Sequence, residues 1–208
     1  MQKYYKYRYS LRVTITSYTA NEIKEIIDLA KNFGFHSVKF KYLQLYGNAN
    51  NHSDLLPSKE KYNEAIDIAL EYGEKKNIKI AVPRHYAVKR GKENVVNDYD
   101  HITENDLFPV KWGFQCSGGS IGLYVTQYGY ITPCVSLGNK FWSGNIRWDN
   151  LLDVWENGKG FCIMRNLKGN EPCLSCEHLN FCKGGCRVRA LQLTQSLQQP
   201  DPYCSLVE

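Results

Sequence analysis

The segment CLSCEHLNFCKGGC, residues 173–186, places four cysteines within fourteen residues, with two, five and three residues between successive cysteines. Pairing these cysteines in a disulfide does not explain why four thiols occur at such short spacing. Soft sulfur ligands select zinc or iron–sulfur clusters. This segment therefore predicts a metal site before any other kind of function.

Three further cysteines extend the pattern on both sides of this segment. Cys116 is followed by twelve residues, Gly129, four more residues and Cys134, and seventeen residues separate Cys186 from Cys204. The N-terminal residues lack a secretory signal, and no run of eighteen apolar residues is present. We therefore expect a cytoplasmic chain without a membrane span, whose reduced thiols bind metal. A disulfide framework is the less favoured alternative.

Composition sets broader limits. The chain has 208 residues, a net charge of +5 and 43% hydrophobic residues, which suits one or two domains with a real core. Lys3, Lys6 and Arg8 stand among tyrosines at the N-terminus, a combination that can bind nucleic acid. Since charge elsewhere is mixed in sign, we interpret this arm as a solvated chain end or the start of a strand, and a nucleic-acid partner is not favoured.

Strands and helices alternate in the first half of the sequence. Leu11, Val13 and Ile15 alternate with polar residues, which predicts a strand. Thr19 and Glu22 have the spacing of a capping box ahead of a helix. The following elements are a helix ended by Gly34, a strand at Val38, Phe40 and Tyr42, a helix opened by Ser58, and a strand at Ile78, Ile80 and Val82. This order predicts βαβ units and a parallel sheet, and three strands alone suggest the end of a larger domain.

The second half has a different character. Pro83 and the charged and polar stretch after it predict a connector, so we divide the chain into domains at residues 1–90 and 91–208. Ile121 to Val125 and Tyr130 to Cys134 predict a hairpin that turns at Gly129 and brings Cys134 beside Cys116. A short helix is expected around residues 151–155, and a final helix from near residue 185 to Pro200.

Spacing alone leaves the identity of the metal open. Zinc often uses Cys-x-x-Cys knuckles, and Cys173 and Cys176 form one. A 4Fe–4S cluster tolerates more irregular spacing, and Gly184 and Gly185 allow the backbone to approach a bulky cluster closely.

The complete cysteine series resembles that of the SPASM domain of radical SAM enzymes. Residues 110–208 carry the resemblance, which includes the triplet Gly144-Asn145-Ile146 and the motif Asp201-Pro202-Tyr203-Cys204. Residues 9–83 resemble the last three strands of the partial TIM barrel of the same superfamily. The expected fold class is therefore α/β, a truncated parallel βαβ barrel segment followed by a small cysteine-rich α+β SPASM domain.

The resemblance implies two auxiliary 4Fe–4S clusters. One would be held by four cysteines and the other by three, and the implied ligands are, respectively, Cys173, Cys176, Cys182 and Cys204, and Cys116, Cys134 and Cys186. The fourth position of the second cluster would be open to substrate, or filled by water or another side chain. Cys162, in apolar company, and His101 are the weaker candidates for this position.

The same resemblance limits the expected activity. Radical SAM chemistry needs a Cys-x3-Cys-x2-Cys loop, whereas the first cysteine here is Cys116, so we predict no catalytic residue and leave open whether this chain is an enzyme. S-adenosylmethionine would enter only with a further N-terminal part or a partner chain that carries the missing half-barrel. The other expected partners are a peptide or protein substrate and an electron donor such as ferredoxin or flavodoxin. A non-enzymatic zinc module for a protein or nucleic-acid partner is the alternative.

Overall fold

The computed structural model describes residues 9–83, 116 and 118–207, and these fall into two compact units. The first unit comprises the described residues up to 83, and the second comprises those from 116 onward. The basic residues at positions 3–8, the connector after Pro83 and the proposed boundary at residues 90 and 91 lie outside the described residues.

The first unit is a parallel sheet with the strand order β1-β2-β3, in which a helix connects each strand to the next. Its elements are β1 (Ser10–Ile15), α1 (Ile23–Asn32), β2 (Ser37–Tyr42), α2 (Lys59–Lys75) and β3 (Lys79–Ala81). Short 3-10 turns occur at Thr19–Asn21, Gly47–Asn51 and Ser53–Leu55. The βαβ arrangement expected from the sequence is confirmed.

Periodic apolar residues explain why these elements pack together. Val38 and Phe40 of the middle strand are fully buried, as are Ile27 of α1 and Ile66 of α2. Ser58 caps α2, because its side chain accepts a hydrogen bond from the backbone N–H of Lys61. Apolar side chains from the sheet and both helices thus form one core.

The predicted capping box at the start of α1 is wrong. The helix begins at Ile23, and Glu22 makes no side-chain capping bond. The hydroxyl of Thr19 instead accepts a hydrogen bond from the N–H of Thr16 at 2.8 Å and donates to the carbonyl of Thr14 at 3.0 Å. Local bonds of this kind compete with helix capping, and here they stabilise the turn between β1 and α1.

The second unit has short elements around an antiparallel sheet with the strand order β4-β5-β6. Its strands are β4 (Tyr124–Val125), β5 (Tyr130–Thr132) and β6 (Gly144–Asn145), and its helices are α3 (Leu151–Asn157), α4 (Lys159–Arg165), α5 (Leu179–Cys182) and α6 (Arg187–Thr194). Two 3-10 turns, Val135–Leu137 and Asn139–Phe141, follow β5.

Most of the predicted elements of this unit are present, with different limits. The hairpin turns at Gly129, but Ile121 and Leu123 lie outside strand β4. Helix α6 ends at Thr194, before Pro200, because Gln195 takes a left-handed conformation with φ of 59°. Within the described residues, none of the helices combines the length and the apolar character that a membrane crossing needs.

Two small apolar clusters form the core of the second unit. In the first, Val154 of α3 and Phe161 of α4 pack on Ile131 of strand β5. The second cluster consists of Leu137, Phe141, Met164, Leu167, Cys173 and Val188. Three of the other predicted ligands, Cys116, Cys134 and Cys186, pack against this second cluster. Four of the seven candidate metal ligands therefore lie in or against the core of the second unit.

Candidate metal centre

The loop that follows Cys116 lies directly against the end of the hairpin. A Cβ atom added to Gly118 would be 2.5 Å from the carbonyl oxygen of Pro133 and 3.7 Å from the Cβ of Cys134. Only glycine permits such a close backbone approach. The hydroxyl of Ser120 donates to the carbonyl of Cys116 at 2.7 Å, which fixes this loop. The hairpin thus brings Cys134 beside the Cys116 loop, as predicted.

Cys116, Cys134 and Cys186, here called the Cys116 group, are close enough to interact electrostatically. Burial raises the pKa of Cys134 to about 11, and hydrogen bonds with Ser136 oppose this effect. Charges on Cys116 and Cys186 raise the same pKa. Three cysteines that are far apart in the sequence therefore share one electrostatic environment.

Cys173, Cys176, Cys182 and Cys204, here called the Cys204 group, form a second such environment. Burial raises the pKa of Cys173 to about 11, an effect that Arg187 opposes. Charges on Cys204 and Cys176 raise the pKa of Cys173. Burial raises the pKa of Cys182 to about 12, and Cys204 and Cys173 raise it as well. These interactions follow the grouping that the resemblance implies, whereas Cys173 also packs in the same apolar cluster as Cys116, Cys134 and Cys186. The assignment of the seven cysteines to two groups stays a prediction.

Asp201 connects the two groups. One carboxylate oxygen accepts a hydrogen bond from the backbone N–H of Cys186 at 2.7 Å, and the other accepts from the N–H of Tyr203 at 3.0 Å. The backbone carbonyl of Asp201 accepts from the N–H of Cys204 at 2.8 Å. The second carboxylate oxygen also lies 3.3 Å from Nε of Arg189, in a buried ion pair. One buried aspartate therefore fixes the backbone at a member of each group.

The loop between Cys182 and Cys186 has an unusual backbone. Lys183, Gly184 and Gly185 all have positive φ, at 61°, 82° and 77°. A Cβ atom at Gly185 would be 2.5 Å from the Cβ of Asp201. Glycine is therefore required at position 185 both for its conformation and for the close approach of Asp201. The KGGC sequence serves the contact with Asp201 as well as the backbone turn.

Cys186 also begins helix α6. Its Sγ accepts a hydrogen bond from the N–H of Arg189 at 3.4 Å, in the position of a helix cap. Arg187, the next residue, is fully buried, and its guanidinium donates to the carbonyls of Leu197 at 2.8 Å and Gln199 at 2.7 Å. It donates to the carbonyl of Gly184 as well. These bonds hold one positive charge at the start of α6.

The buried charges of this unit are strongly unequal in sign. Among the described residues, the buried charged side chains are three cations, Lys183, Arg187 and Arg189, and one anion, Asp201. Buried charges are costly unless they are compensated. Thiolates ligated to iron or zinc would add negative charge near these cations, and metal ions supply the positive charge that lets buried thiols ionise. The donor set and its surroundings therefore fit anionic thiolate clusters.

All eight cysteines are free of disulfide bonds in the structure. Within the described residues, no group of three or more His, Cys, Asp or Glu side chains is arranged to hold a metal ion. The grouping of the cysteines therefore depends on the packing and electrostatic contacts described above, and their assignment as ligands stays a prediction.

The weaker candidates for the fourth ligand make other contacts or lie outside the described residues. The Sγ of Cys162 lies 3.8 Å from the carbonyl of Glu156, and this thiol interacts with the guanidinium of Arg165. His178, which is not one of these candidates, lies between Cys176 and Cys182, and its Nε2 is 3.4 Å from the carboxylate of Glu177. His101 lies outside the described residues.

The structural role of Asp201 does not follow from the sequence alone. The motif Asp201-Pro202-Tyr203-Cys204 indicates only a resemblance. An aspartate that precedes a turn is a known signal, because its side chain hydrogen-bonds the backbone two residues on, as Asp201 does with Tyr203. The bond to the N–H of Cys186 connects residues fifteen positions apart, and no local pattern could have predicted it.

A family model matches part of this chain. Residues 116–177 match the model of the SPASM family, which is described as an iron-sulfur cluster-binding domain. These residues are therefore similar to a SPASM domain, and the fold expected from the sequence is confirmed.

Particular relatives can be named. The chain is 29% identical over 209 residues to the PqqA peptide cyclase of Methylobacterium sp. (strain 4-46), a match that covers 95% of this chain and 48% of that protein. It is 26% identical over 210 residues to the AdoMet-dependent heme synthase of Methanosarcina barkeri, covering 94% of this chain and 55% of that protein. The chain thus spans about half the length of the curated relatives that it matches.

A solved structure shows the same fold. Streptococcus suis SuiB bound to its precursor peptide SuiA superposes with a TM-score of 0.66 at 18% identity, over 96% of this chain and 45% of that one. The similarity extends through both units, since nearly all of this chain is covered.

Proposed function

We propose that this chain supplies the auxiliary-cluster part of a radical SAM/SPASM system that modifies a peptide or protein. The observation that carries the proposal is that Cys134 interacts electrostatically with Cys116 and Cys186, whereas Cys173 and Cys182 interact with Cys204. The names of the relatives support a peptide as the substrate class, because one is a PqqA peptide cyclase and another is SuiB with a precursor peptide.

We assign one 4Fe–4S cluster to each group. The Cys204 group has four thiols, which is the full ligand set of such a cluster. The Cys116 group has three, so its fourth position is available to substrate, to water or to a side chain outside the group. When bound, the clusters would accept and donate single electrons, one at a time. The chain's own residues hold the thiols apart from water, keep the two groups separate and supply the buried positive charge.

These residues alone are not expected to cleave S-adenosylmethionine. The Cys-x3-Cys-x2-Cys loop is not found within this sequence, in which Cys116 is the first cysteine. We therefore expect no 5′-deoxyadenosine when the cluster-loaded chain is incubated with S-adenosylmethionine and a low-potential electron donor. Radical SAM activity would require a further N-terminal part or a partner chain that carries the Cys-x3-Cys-x2-Cys loop. It would also require a peptide substrate and an electron donor such as ferredoxin or flavodoxin, in a reducing, cytoplasmic compartment.

The deciding experiment measures iron, zinc and acid-labile sulfide per chain after anaerobic purification. Two 4Fe–4S clusters correspond to about eight irons and about eight sulfides. Zinc without sulfide would contradict the proposal and favour a zinc-binding module. A content of about four irons per chain would correspond to one 4Fe–4S cluster and would contradict the second cluster of the proposal.

Three single variants sharpen this measurement. Cys182→Ala removes a member of the Cys204 group, and Cys134→Ala removes a member of the Cys116 group. Each is expected to lower the iron content by about four per chain. Cys162→Ala is the matched control, since Cys162 belongs to neither group, and it should leave the iron content unchanged. Equal iron loss in all three variants would contradict the assignment of the groups.

A further inference from the structure

The sheet of the first unit has one face away from its helices, and that face is polar. Along each strand, successive side chains point to opposite faces. The apolar side chains of the strands, among them Val38, Phe40 and Ile80, are buried. Helix α2 packs on this apolar face, since a Cβ atom added to Gly73 would collide with the side chain of Ile80. The side chains between the apolar ones therefore lie on the other face of the sheet.

Residues that are paired in register share this other face. The hydroxyls of Ser10 and Ser37, one such pair, lie 2.8 Å apart. The face, here called the cationic face, is formed by Ser10, Arg12 and Thr14 of β1, by Ser37, Lys39 and Lys41 of β2, and by Lys79 and Ala81 of β3. Half of these residues carry a positive charge, and none is acidic or aromatic.

The cations of this face lie close together. Arg12 is directly opposite Lys39, Lys41 is two residues further along β2, and Lys79 is opposite the residue two positions before Lys39. Neighbouring strands are about 4.8 Å apart, and residues two positions apart on one strand are separated by about 6.6 Å. Arg12, Lys41 and Lys79 are exposed, and Lys39 is half-buried. Like charges directly opposite each other destabilise a sheet, so this arrangement favours an anionic partner.

The composition of the cationic face argues against several other kinds of partner. Parallel sheets usually bury apolar side chains on both faces, whereas this face consists mainly of Ser, Thr, Lys and Arg and does not suit an apolar layer. A second copy docked through the same face would bring like charges together, which is costly. Single-stranded nucleic acids are bound on aromatic platforms, and this face has no aromatic side chain.

An extended acidic peptide matches the spacing of these cations. In an extended chain, every second side chain points to the same side, at a repeat of about 6.6 Å. Cations occur at successive levels of that repeat along the sheet, with Lys79 at the first level, Arg12 and Lys39 at the second and Lys41 at the third. A strand packed face to face lies about 10 Å from a sheet and nearly parallel to its strands. Long cationic and acidic side chains can meet across such a gap.

We propose that the cationic face binds an acidic polypeptide segment in an extended conformation, with carboxylates at every second residue. The guanidinium of Arg12 is suited to hold a carboxylate through two parallel hydrogen bonds, whereas the lysines act as point charges. That this segment belongs to the peptide or protein substrate rests on the proposed function, whereas the binding itself requires no metal.

The test is fluorescence anisotropy on the full chain, purified anaerobically, with a labelled synthetic peptide in which glutamate and threonine alternate. Its Kd should rise between about 0.05 M and about 0.5 M salt, because salt screens exposed charges. An isomer of the same composition, with all its glutamates in one block, should bind more weakly, since only half of its carboxylates then face the sheet. A peptide with glutamine in place of glutamate should not bind.

Two double variants of equal net charge locate the binding. Lys39→Gln/Lys79→Gln should raise the Kd by about three- to tenfold, because each exposed ion pair contributes modestly. Lys140→Gln/Lys168→Gln removes two exposed lysines of the second unit and should leave the Kd unchanged. Attraction to the overall charge of the chain would affect both double variants equally.

A third double variant tests competition within the chain. The sequence NDYDHITEND at residues 97–106 is itself acidic. Asp98→Asn/Asp100→Asn should therefore leave peptide binding present, as in the wild type. Peptide binding that occurs only in this variant would assign the cationic face to the chain's own acidic sequence and overturn the inference.

The remaining outcomes are equally decisive. Absence of peptide binding, equal affinity for the alternating and block peptides, or equal loss in the two lysine double variants overturns the inference. Tighter binding of a single-stranded oligonucleotide, lost in Lys39→Gln/Lys79→Gln, assigns the face to nucleic acid and overturns it as well. Iron and sulfide, measured on the same samples, test the proposed function separately. A chain that binds the alternating peptide at this face but no iron defeats the proposed function alone, and a chain with both clusters that binds no peptide defeats the inference alone.

Discussion

The first unit contains a seventeen-residue helix and strands of six residues, whereas α6, the longest described helix of the second unit, has eight residues and the described strands of that unit have two or three. Isolated helices shorter than about 12–15 residues are marginal in water. The first unit buries aliphatic and aromatic side chains, while the second also buries three cations and a carboxylate. The difference teaches that the first unit is stabilised by apolar burial, whereas the short elements of the second unit leave a stabilising role for the proposed clusters.

Metal removal should give the largest difference between the two units. In a metal-free chain, we expect amide hydrogen exchange of residues 187–194 to accelerate by roughly 100-fold or more, because binding energy at structural metal sites contributes directly to folding. Exchange in α2 should change less than about twofold, because its protection comes from apolar packing. Hydrogen exchange with mass spectrometry checks this. Equal acceleration in both units would show that they unfold together.

A cavity in the first unit should have the converse effect. Phe40 of β2 is fully buried, so Phe40→Ala should lower the free energy of unfolding of this unit by about 3–5 kcal/mol. Chemical denaturation, followed by hydrogen exchange in residues 10–82, measures the loss. Phe33→Ala is the control, because Phe33 is 72% exposed, and it should change stability by less than about 0.5 kcal/mol. Loss of bound iron in Phe40→Ala would contradict the independence of the two units.

A backbone change next to the cysteines should have an intermediate effect on the second unit. Gly185→Ala places a Cβ where φ is 77° and where Asp201 leaves no space, so we expect a loss of about 1–3 kcal/mol together with lower iron content. Gly122→Ala is the matched control, since a Cβ there meets nothing within 4 Å. Iron content and thermal unfolding of the two variants decide the matter. Normal iron content and stability in Gly185→Ala would show that the close contact between Gly185 and Asp201 is not needed for stability or iron binding.

The smallest effect concerns the surface of the first unit. Asp28 lies 2.7 Å from the ammonium of Lys76, and the hydroxyl of Tyr72 donates to it at 2.9 Å. These bonds lower the pKa of Asp28 below its ordinary value of 3.8. A lowered pKa in the folded state contributes stability above the ordinary value, and this contribution is lost as the pH falls through the lowered one.

The variant Asp28→Asn measures this contribution. At pH 7 it should be slightly less stable than the wild type, and the difference should shrink as the pH falls below 3.8. Urea unfolding midpoints of both proteins between pH 7 and pH 3 provide the comparison. A difference that grows with acidity would exclude this pair as its cause.

The elements that the sequence predicts correctly are those set by local periodicity. Strand β1 follows from alternation at Leu11, Val13 and Ile15, and α2 follows from Ser58 and the apolar residues behind it. The start of α1 was missed because Thr19 has two local uses for its hydroxyl, and only the structure shows that it bonds to Thr14 and Thr16. Local patterns therefore predict elements better than they predict side-chain bonds.

The candidate site divides in the same way. The seven cysteines are visible in the sequence because their spacing is itself the signal. The buried charges at Arg187 and Asp201 are not, because their role arises from contacts with segments ten to fifteen residues away. An arginine or aspartate in a polar sequence usually belongs to the surface, and only packing shows that these two are inside.

The interleaving of the two cysteine groups has a consequence for synthesis of the chain. Cys186 belongs to the Cys116 group but precedes Cys204 by eighteen residues. At translation rates of about 5–20 residues per second, the Cys116 group is complete about 1–4 s before the Cys204 group receives its last thiol. Iron delivered to the nascent chain therefore meets a finished three-thiol group while the four-thiol group still lacks a member. If the chain binds two clusters as proposed, the order in which the ribosome supplies the cysteines can thereby set the order in which they are assembled.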